Sequence, residues 1–383
     1  MRGKQITDEE AIAITLRRYG SLTRGQGELA IKVLVDEFHR PKNAITLAIR
    51  VAFQKRLVEI RRVEREDLTL KSPTRNTALE NELRARFPSL AGAIVVESSE
   101  SNSDRIHRDI GYALARELGI HIDDGAIVGL GSGRGPYYTV EGAKKLTPLS
   151  SRGVTLMSLT GDLYPQGHEK GLNAVLDADF HTALFSMSFS ELMTLRKISS
   201  TIAHEDIESA RKKTWLDRDE YRKHTPTVAI VGLGVLKEHH RFYQEVRRET
   251  GAASPSGQNV LAPIKKFLKE LVDISEKYSQ GIYCPIADVC NRLMFVERPD
   301  VRIKEADRQK MLKLIEAINA RLLTIDSDQL GRIRGLLLVA GTTQKALAIR
   351  KLLLESELQQ SGLRIRTVCT DSAAAQLILE HSA

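Results

Sequence analysis

The sequence predicts two units of different architecture: a small helical one at the N-terminus and a larger α/β one with a mainly parallel sheet. Three observations predict it. After about residue 90, short β-branched apolar runs ending in glycine, small or acidic residues alternate with helical stretches, the pattern of a buried parallel sheet. The first 71 residues have helical periodicity instead, and their 15 Lys+Arg against 10 Asp+Glu hold +5 of the net charge of +8. Between the two lies EDLTLKSPTRNTALE (66–80), whose Ser72-Pro73 and scattered Thr and Asn suit a linker. The expected division is a helical domain over 1–65, a linker over 66–77 and an α/β domain over 78–383.

Composition narrows the class. With 383 residues, 42% hydrophobic and 28% charged, the chain is ordinary for a globular protein, and disorder as its main state is excluded. The strongest apolar stretch, GLLLVAG (335–341), is far shorter than the roughly 18 residues of a membrane span. The N-terminal MRGKQITDEEAIAI has no apolar core of a secretory signal. Cys284, Cys290 and Cys369 fit neither a disulfide framework nor a zinc site. The expectation is a cytoplasmic protein with no membrane partner, no metal and no cofactor.

The N-terminal elements follow in order. DEEAIAITLRRYG opens with acids and closes with basic residues and Gly20, as a helix dipole favours. Thr23 is a candidate cap for RGQGELAIKVLVDEFHR. Pro41 stands where a third helix begins, and Ile45, Ile49 and Phe53 form one stripe on it at helical spacing. LVEIRRVE alternates, which predicts a strand. Three helices and a strand give the outline of a winged helix-turn-helix, and excess positive charge points to a polyanion partner or to a solvated basic surface.

In the larger unit a helix is expected from Asn76 or Thr77 over ALENELRARF. AGAIVVES is a strand, SDRIHRDIGYALARELG a helix, GAIVGLGSGRG a strand with a glycine-rich turn, and YTVEGAKKL a helix. GVTLMSLTGD, TPTVAIVGLG, GLLLVAGTT and IRTVCTD are further strands. Ligands of such sheets bind beyond the carboxyl ends of the strands. The loop GLGSGRG (129–135) matches no G-x-G-x-x-G pattern, so a dinucleotide is not expected. Its glycines let backbone N–H groups approach an anion, Ser132 adds a hydroxyl and Arg134 a bidentate donor. A phosphate or phosphosugar is one reading, a tight turn with a solvated arginine the other. In AGTTQKALAIRKLL, Thr342 and Thr343 can cap a helix whose first turn carries Lys345. His168, His239 and His240 have no partners at metal-ligand spacing. Neither a G-x-S-x-G elbow nor a Cys/His signature is present. Asp162, Asp288 and Asp371 are placed near strand ends, where they serve acid/base chemistry, sugar hydroxyls or loop backbone.

These segments, in this order, resemble the SorC/DeoR-like bacterial transcriptional regulators. ALENELRARFPSLAGAIVVE is similar to the family's first helix and strand, and DIGYALARELGIHIDDGAIVGLGSGRGPYYTVEGAKKL to its helix, strand and effector loop. GIYCPIADVCNRLMF is similar to its "G-A-V-G-D-I-x-x-x-F-F" segment. LLLVAGTTQKALAIRKLL and IRTVCTDSAAAQLIL resemble its closing "A-G-G-x-x-K" and "L-x-T-D" segments. The resemblance implies a Rossmann-like, sugar-phosphate-isomerase-like domain that binds a phosphorylated sugar. It places Gly131, Ser132, Gly133 and Arg134 in the effector loop, with Asp288, Thr342, Thr343 and Lys345 beside them. Lys345 matches the lysine associated with the effector's phosphate; Thr342 stands for the second glycine of "A-G-G" and Ala287 for the glycine before Asp288. AFQKRLVEI is similar to the segment after the family's recognition helix, which implies double-stranded DNA as partner and Lys42, Asn43, Thr46, Arg50, Lys55 and Arg56 as its contacts. A homo-oligomer, dimer or tetramer, is expected. The implied function is a regulator whose DNA affinity responds to a phosphorylated sugar; the alternatives are an isomerase-like enzyme, or a regulator-derived protein that has lost DNA binding.

Overall fold

The computed structural model describes residues 73–97, 103–146, 148–161, 178–190, 193–196, 198, 207–236, 261–281, 283–298, 301–358 and 362–380, and earlier only 7, 14, 38, 39, 41, 44–46 and 48. The chain divides into two compact units, Met1–Lys71 and Ser72–Ala383. In the first, the Pro41 carbonyl accepts from the N–H groups of Ala44 and Ile45 at 2.9 and 3.1 Å, the start of a helical turn. Ile45 and Ala48 are buried and Thr46 is exposed, so the described residues separate an inner from an outer face as helical spacing requires. Lys42, Asn43, Arg50, Lys55 and Arg56 lie outside the described residues, as do Ile49, Phe53, Asp162, His168, His239 and His240.

The larger unit takes in residues 72–77, which the sequence assigns to the linker. Arg75 bridges to Val96, and the Asn76 N–H donates to the Val95 carbonyl at 2.8 Å. The Asn76 side chain caps helix α1 (Thr77–Arg86) by accepting the Leu79 N–H at 3.0 Å. Then come β1 (Gly92–Val96), α2 (Ser103–Ala115), β2 (Ile127–Leu130), α3 (Arg134–Lys145), β3 (Thr155–Ser158), α4 (Ala178–Phe185) and β4 (Thr194–Arg196). The next elements are α5 (Ile207–Lys212), α6 (Arg218–Lys223), β5 (Val228–Val231), β6 (Gly234–Val235), α7 (Leu261–Tyr278), β7 (Ile286–Val289) and β8 (Arg292–Phe295). The last are α8 (Glu305–Asn319), α9 (Ser327–Gly331), β9 (Leu336–Val339), α10 (Ala346–Glu357), β10 (Ile365–Asp371) and α11 (Ser372–Glu380).

Seven strands form a parallel sheet in the order β1-β10-β9-β5-β2-β3-β4. Its apolar runs are buried on both faces because strand residues alternate. In β9, Leu336 and Leu338 join the core that includes Leu79 and Leu83 of α1, while Leu337 and Val339 join the one that includes Ile110 and Leu114 of α2. Each such side chain contributes about 1.5–3 kcal/mol on burial. From β2 the chain winds outward through β3 and β4; from β5 it winds the other way through β9 and β10. Strands β2 and β5 are neighbours at this reversal, the place beyond whose carboxyl ends ligands of such sheets bind. Among the described residues no helix is long and apolar enough to cross a membrane.

A second sheet, antiparallel in the order β6-β7-β8, was not expected from the sequence. Side chains of α7 and α8, among them Leu268, Leu271, Met311 and Ile315, build its core with Ile286 and Leu293. Cys290 and Asn291 join β7 to β8 with φ of 53° and 61°, the signature of a type I′ turn. Asp288 is the penultimate residue of β7, near a strand end as expected, but that strand belongs to the small antiparallel sheet and not to the parallel one.

Candidate anion site at the carboxyl ends of the sheet

The loop after β2 starts with the Gly131 N–H donating to the Ile230 carbonyl at 2.9 Å, which carries the end of β2 past β5. Gly133 has φ 107° and ψ 175°, a conformation open to glycine, and from it α3 begins at Arg134. The first turn of α3 presents the positive end of its dipole there. Tyr137 and His181 lie beside the loop with ring centroids 6.0 Å apart, and His181 Nδ1 donates to the Gly131 carbonyl at 2.8 Å. The Ser132 hydroxyl donates to Asn291 Oδ1 at 3.2 Å, and Asn291 Nδ2 donates to Thr160 Oγ1 at 3.1 Å. The hairpin of the small sheet is therefore hydrogen-bonded to the loop.

The loop after β9 lies across β5 from the loop after β2. Thr342 has φ 81° and ψ 144°, costly for a β-branched residue. Its N–H donates to Asp371 Oδ2 at 2.5 Å, and Asp371 Oδ1 accepts the Ala374 N–H at 3.1 Å. Asp371 therefore holds loop backbone and the start of α11, the third of the roles open to it. The expected threonine cap does not form: Thr342 makes no side-chain capping bond, and a 3-10 turn, Thr343–Lys345, leads into α10 instead. Thr342→Gly removes the backbone strain but frees the unfolded chain, so a net gain of about 1 kcal/mol is expected in denaturant unfolding.

Lys345 Nζ donates to His107 Nε2 at 2.8 Å. His107 Nδ1 is 2.5 Å from the Ser103 carbonyl and donates to it, which leaves Nε2 as the acceptor. Burial, and then the Lys345 charge, hold the His107 imidazole well below its usual pKa, so it is neutral. Burial pushes the Lys345 ammonium down to about 8; Asp288 and Asp371 oppose that shift and Arg134 adds to it. Arg134 itself pairs with Asp104 at 3.0 Å. Residues 134 and 345, more than 200 apart in sequence, thus act on each other electrostatically at one end of the sheet.

This arrangement assembles most of the expected residues. Ser132, Gly133, Arg134, Thr342 and Lys345 come from the two loops flanking β5, and Asp288 joins through β7. Thr343 lies in the 3-10 turn, partly exposed. Sequence reasoning missed Asp104, His107, Asn291 and His181. Asp104 and His107 stand three apart on one side of α2, which the sequence shows without showing which strand end that side approaches; Asn291 and His181 offered no signal. Chemically, a guanidinium, an ammonium and a helix N-terminus suit an anion, while Asp288 can accept from hydroxyl groups. Among the described residues no group of three or more His, Cys, Asp or Glu side chains is placed to hold a metal ion.

Lys345 links the site to pH. As pH rises through about 8 the ammonium is lost, and affinity for an anion is expected to fall by up to tenfold per unit, as calorimetric titration at several pH values would measure. Lys345→Met should abolish the slope. The folded-state pKa is lowered, so the folded chain sheds this proton first, and the contribution of Lys345 to fold stability rises with pH between about 8 and 10.5.

The fold is a doubly wound α/β domain that carries Arg134 and Lys345 on the loops beside its switch point. Residues 71–206 match the family model described as "Putative sugar-binding domain". No curated protein matches the chain by sequence. Among solved structures, the full-length sorbitol operon regulator SorC from Klebsiella pneumoniae is similar at 16% identity and a TM-score of 0.51, over 97% of this chain and 99% of that one. The Probable sor Operon Regulator from Shigella flexneri is similar at 17% identity and a TM-score of 0.52, over 79% and 99%. A transcriptional regulator from Streptococcus pneumoniae is similar at 16% identity and 0.54, over 79% and 96%. The resemblance to SorC/DeoR-like regulators drawn from the sequence is thus met by the family model and by the shared fold.

Proposed function

We propose that the protein is a transcriptional regulator whose larger unit binds a phosphorylated sugar and whose smaller unit binds double-stranded DNA through the helical domain expected over 1–65. The observation that carries this reading is the meeting of Arg134, Lys345 and the N-terminus of α3 at the switch point of a SorC-type sheet. In this reading the phosphate lies between the 131–134 and 342–345 loops, and Asp288 receives sugar hydroxyls. Binding shifts a conformational or oligomeric equilibrium and thereby changes DNA affinity. A dimer matches two half-sites read by paired N-terminal units. Lys42, Asn43, Thr46, Arg50, Lys55 and Arg56 are the proposed contacts, with Thr46 on the exposed side of its helical turn.

The reading is tested by fluorescence anisotropy on labelled duplexes, with and without a panel of sugar phosphates, together with turnover assays on each sugar phosphate that binds. Loss of a phosphate contact in Arg50→Ala should weaken binding to every duplex alike and lower the salt slope by about one. Unchanged affinity after removal of both Lys42 and Arg50 would leave a regulator-derived protein without DNA binding. The Lys345–His107 pair has the character of an acid/base pair, so an isomerase is the second reading, and turnover of a bound sugar phosphate would establish it.

A further inference from the structure

Both cations of the site are held by the first turns of one helix. Asp104 holds Arg134 at 3.0 Å, and His107 accepts from Lys345 at 2.8 Å. An anion placed between Arg134 and Lys345 competes for these same donors. Helix α2 then runs about 20 Å along the sheet, packed on β1 and β10. Just beyond its other end Glu117 pairs with Arg75. Arg75 belongs to the first residues of the larger unit: it grips Glu80 through two nitrogens at 2.6 and 2.9 Å and bridges to Val96 through its backbone.

We propose that α2 is the sensing element of the domain: Asp104 and His107 are internal competitors of the bound anion for Arg134 and Lys345, and their release displaces α2 and loosens the Glu117–Arg75 contact where the chain enters the unit. The inference rests on the anion-site reading above. It has a simple physical basis. A ligand shifts an equilibrium only by interacting differently with its two states, and here the unliganded state owns contacts that the liganded state gives up. A packed helix moves as a body, so a change at residues 104–107 reaches residue 117.

The test uses the full chain with inorganic phosphate as probe, calorimetry for affinity and amide hydrogen exchange for residues 74–76 and 103–117. Asp104→Asn removes an exposed competitor with little risk to folding, and His107→Leu removes the buried one. Each should bind phosphate about 3- to 10-fold more tightly than the unmodified chain. Phosphate should speed exchange at 103–107 and at 74–76 in the unmodified chain. Glu117→Gln should keep the affinity within about twofold and lose the response at 74–76. Phosphate binding that depends on Arg134 but is no tighter in either competitor variant would overturn the sensing role and leave the site standing, as would binding without any response at 74–76. Absence of phosphate binding, or binding unaffected by Arg134→Ala, would overturn the site and the sensing role together.

Discussion

Arg134→Ala and Lys345→Ala should each weaken binding of a phosphorylated sugar by about 10- to 100-fold. A charge-assisted hydrogen bond lost from a ligand contact costs roughly 1.5–3 kcal/mol, and about 1.4 kcal/mol is a factor of ten. The two losses should not simply add: Arg134 lowers the Lys345 ammonium, so the single variant Arg134→Ala leaves a lysine that holds its proton better. Lys345→Arg should recover part of the affinity and remove the fall above pH 8. Calorimetric titration of the four chains with one sugar phosphate measures all of this.

Gly135→Ala should destabilise the larger unit by about 3 kcal/mol, the upper end of overpacking costs. The first turn of α3 passes so close to the end of β9 that a Cβ on Gly135 would stand under 3.0 Å from the Val339 carbonyl oxygen and 3.1 Å from its carbon. The obstacle is backbone, which cannot swing aside as the end of a flexible side chain can. Because α3 carries Arg134 and β9 leads to Lys345, the same substitution pushes the two cations apart, and sugar-phosphate affinity should fall with stability. Thermal unfolding should show a drop of several degrees or more. Gly133→Ala acts differently: a Cβ there meets nothing within 4 Å, and its cost is the strain of φ 107° and ψ 175° alone, about 1–3 kcal/mol.

The parallel sheet was legible because its strands are buried on both faces. AGAIVVES, TPTVAIVGLG and GLLLVAGTT leave no polar face to satisfy, and the small residues after them mark the loops. The small sheet was not legible. β6 has two residues, β4 of the main sheet has three and none of them buried, and the β7–β8 hairpin turns on Cys290-Asn291 without the Asn-Gly or Asp-Gly that announces such a turn. At the site the loop residues Ser132, Arg134 and Lys345 could be named from glycine turns after strands. Asp104 and His107 could not be placed, since helical periodicity shows which side chains share a face but not which strand end they approach. Asp371 was correctly placed near a strand end, yet its two oxygens bind the N–H groups of Thr342 and Ala374, a role that depends on the strained turn at Thr342.

The central claim is that the site recognises the phosphate of a phosphorylated sugar. It is tested most directly by calorimetric titration of the full chain with a set of sugar phosphates and the same sugars without phosphate, at pH 7. The account predicts that at least one sugar phosphate binds, that its parent sugar binds at least about tenfold more weakly, and that Arg134→Ala removes the difference. Equal affinity for a sugar and its phosphate, or a preference that survives both Arg134→Ala and Lys345→Ala, would contradict it.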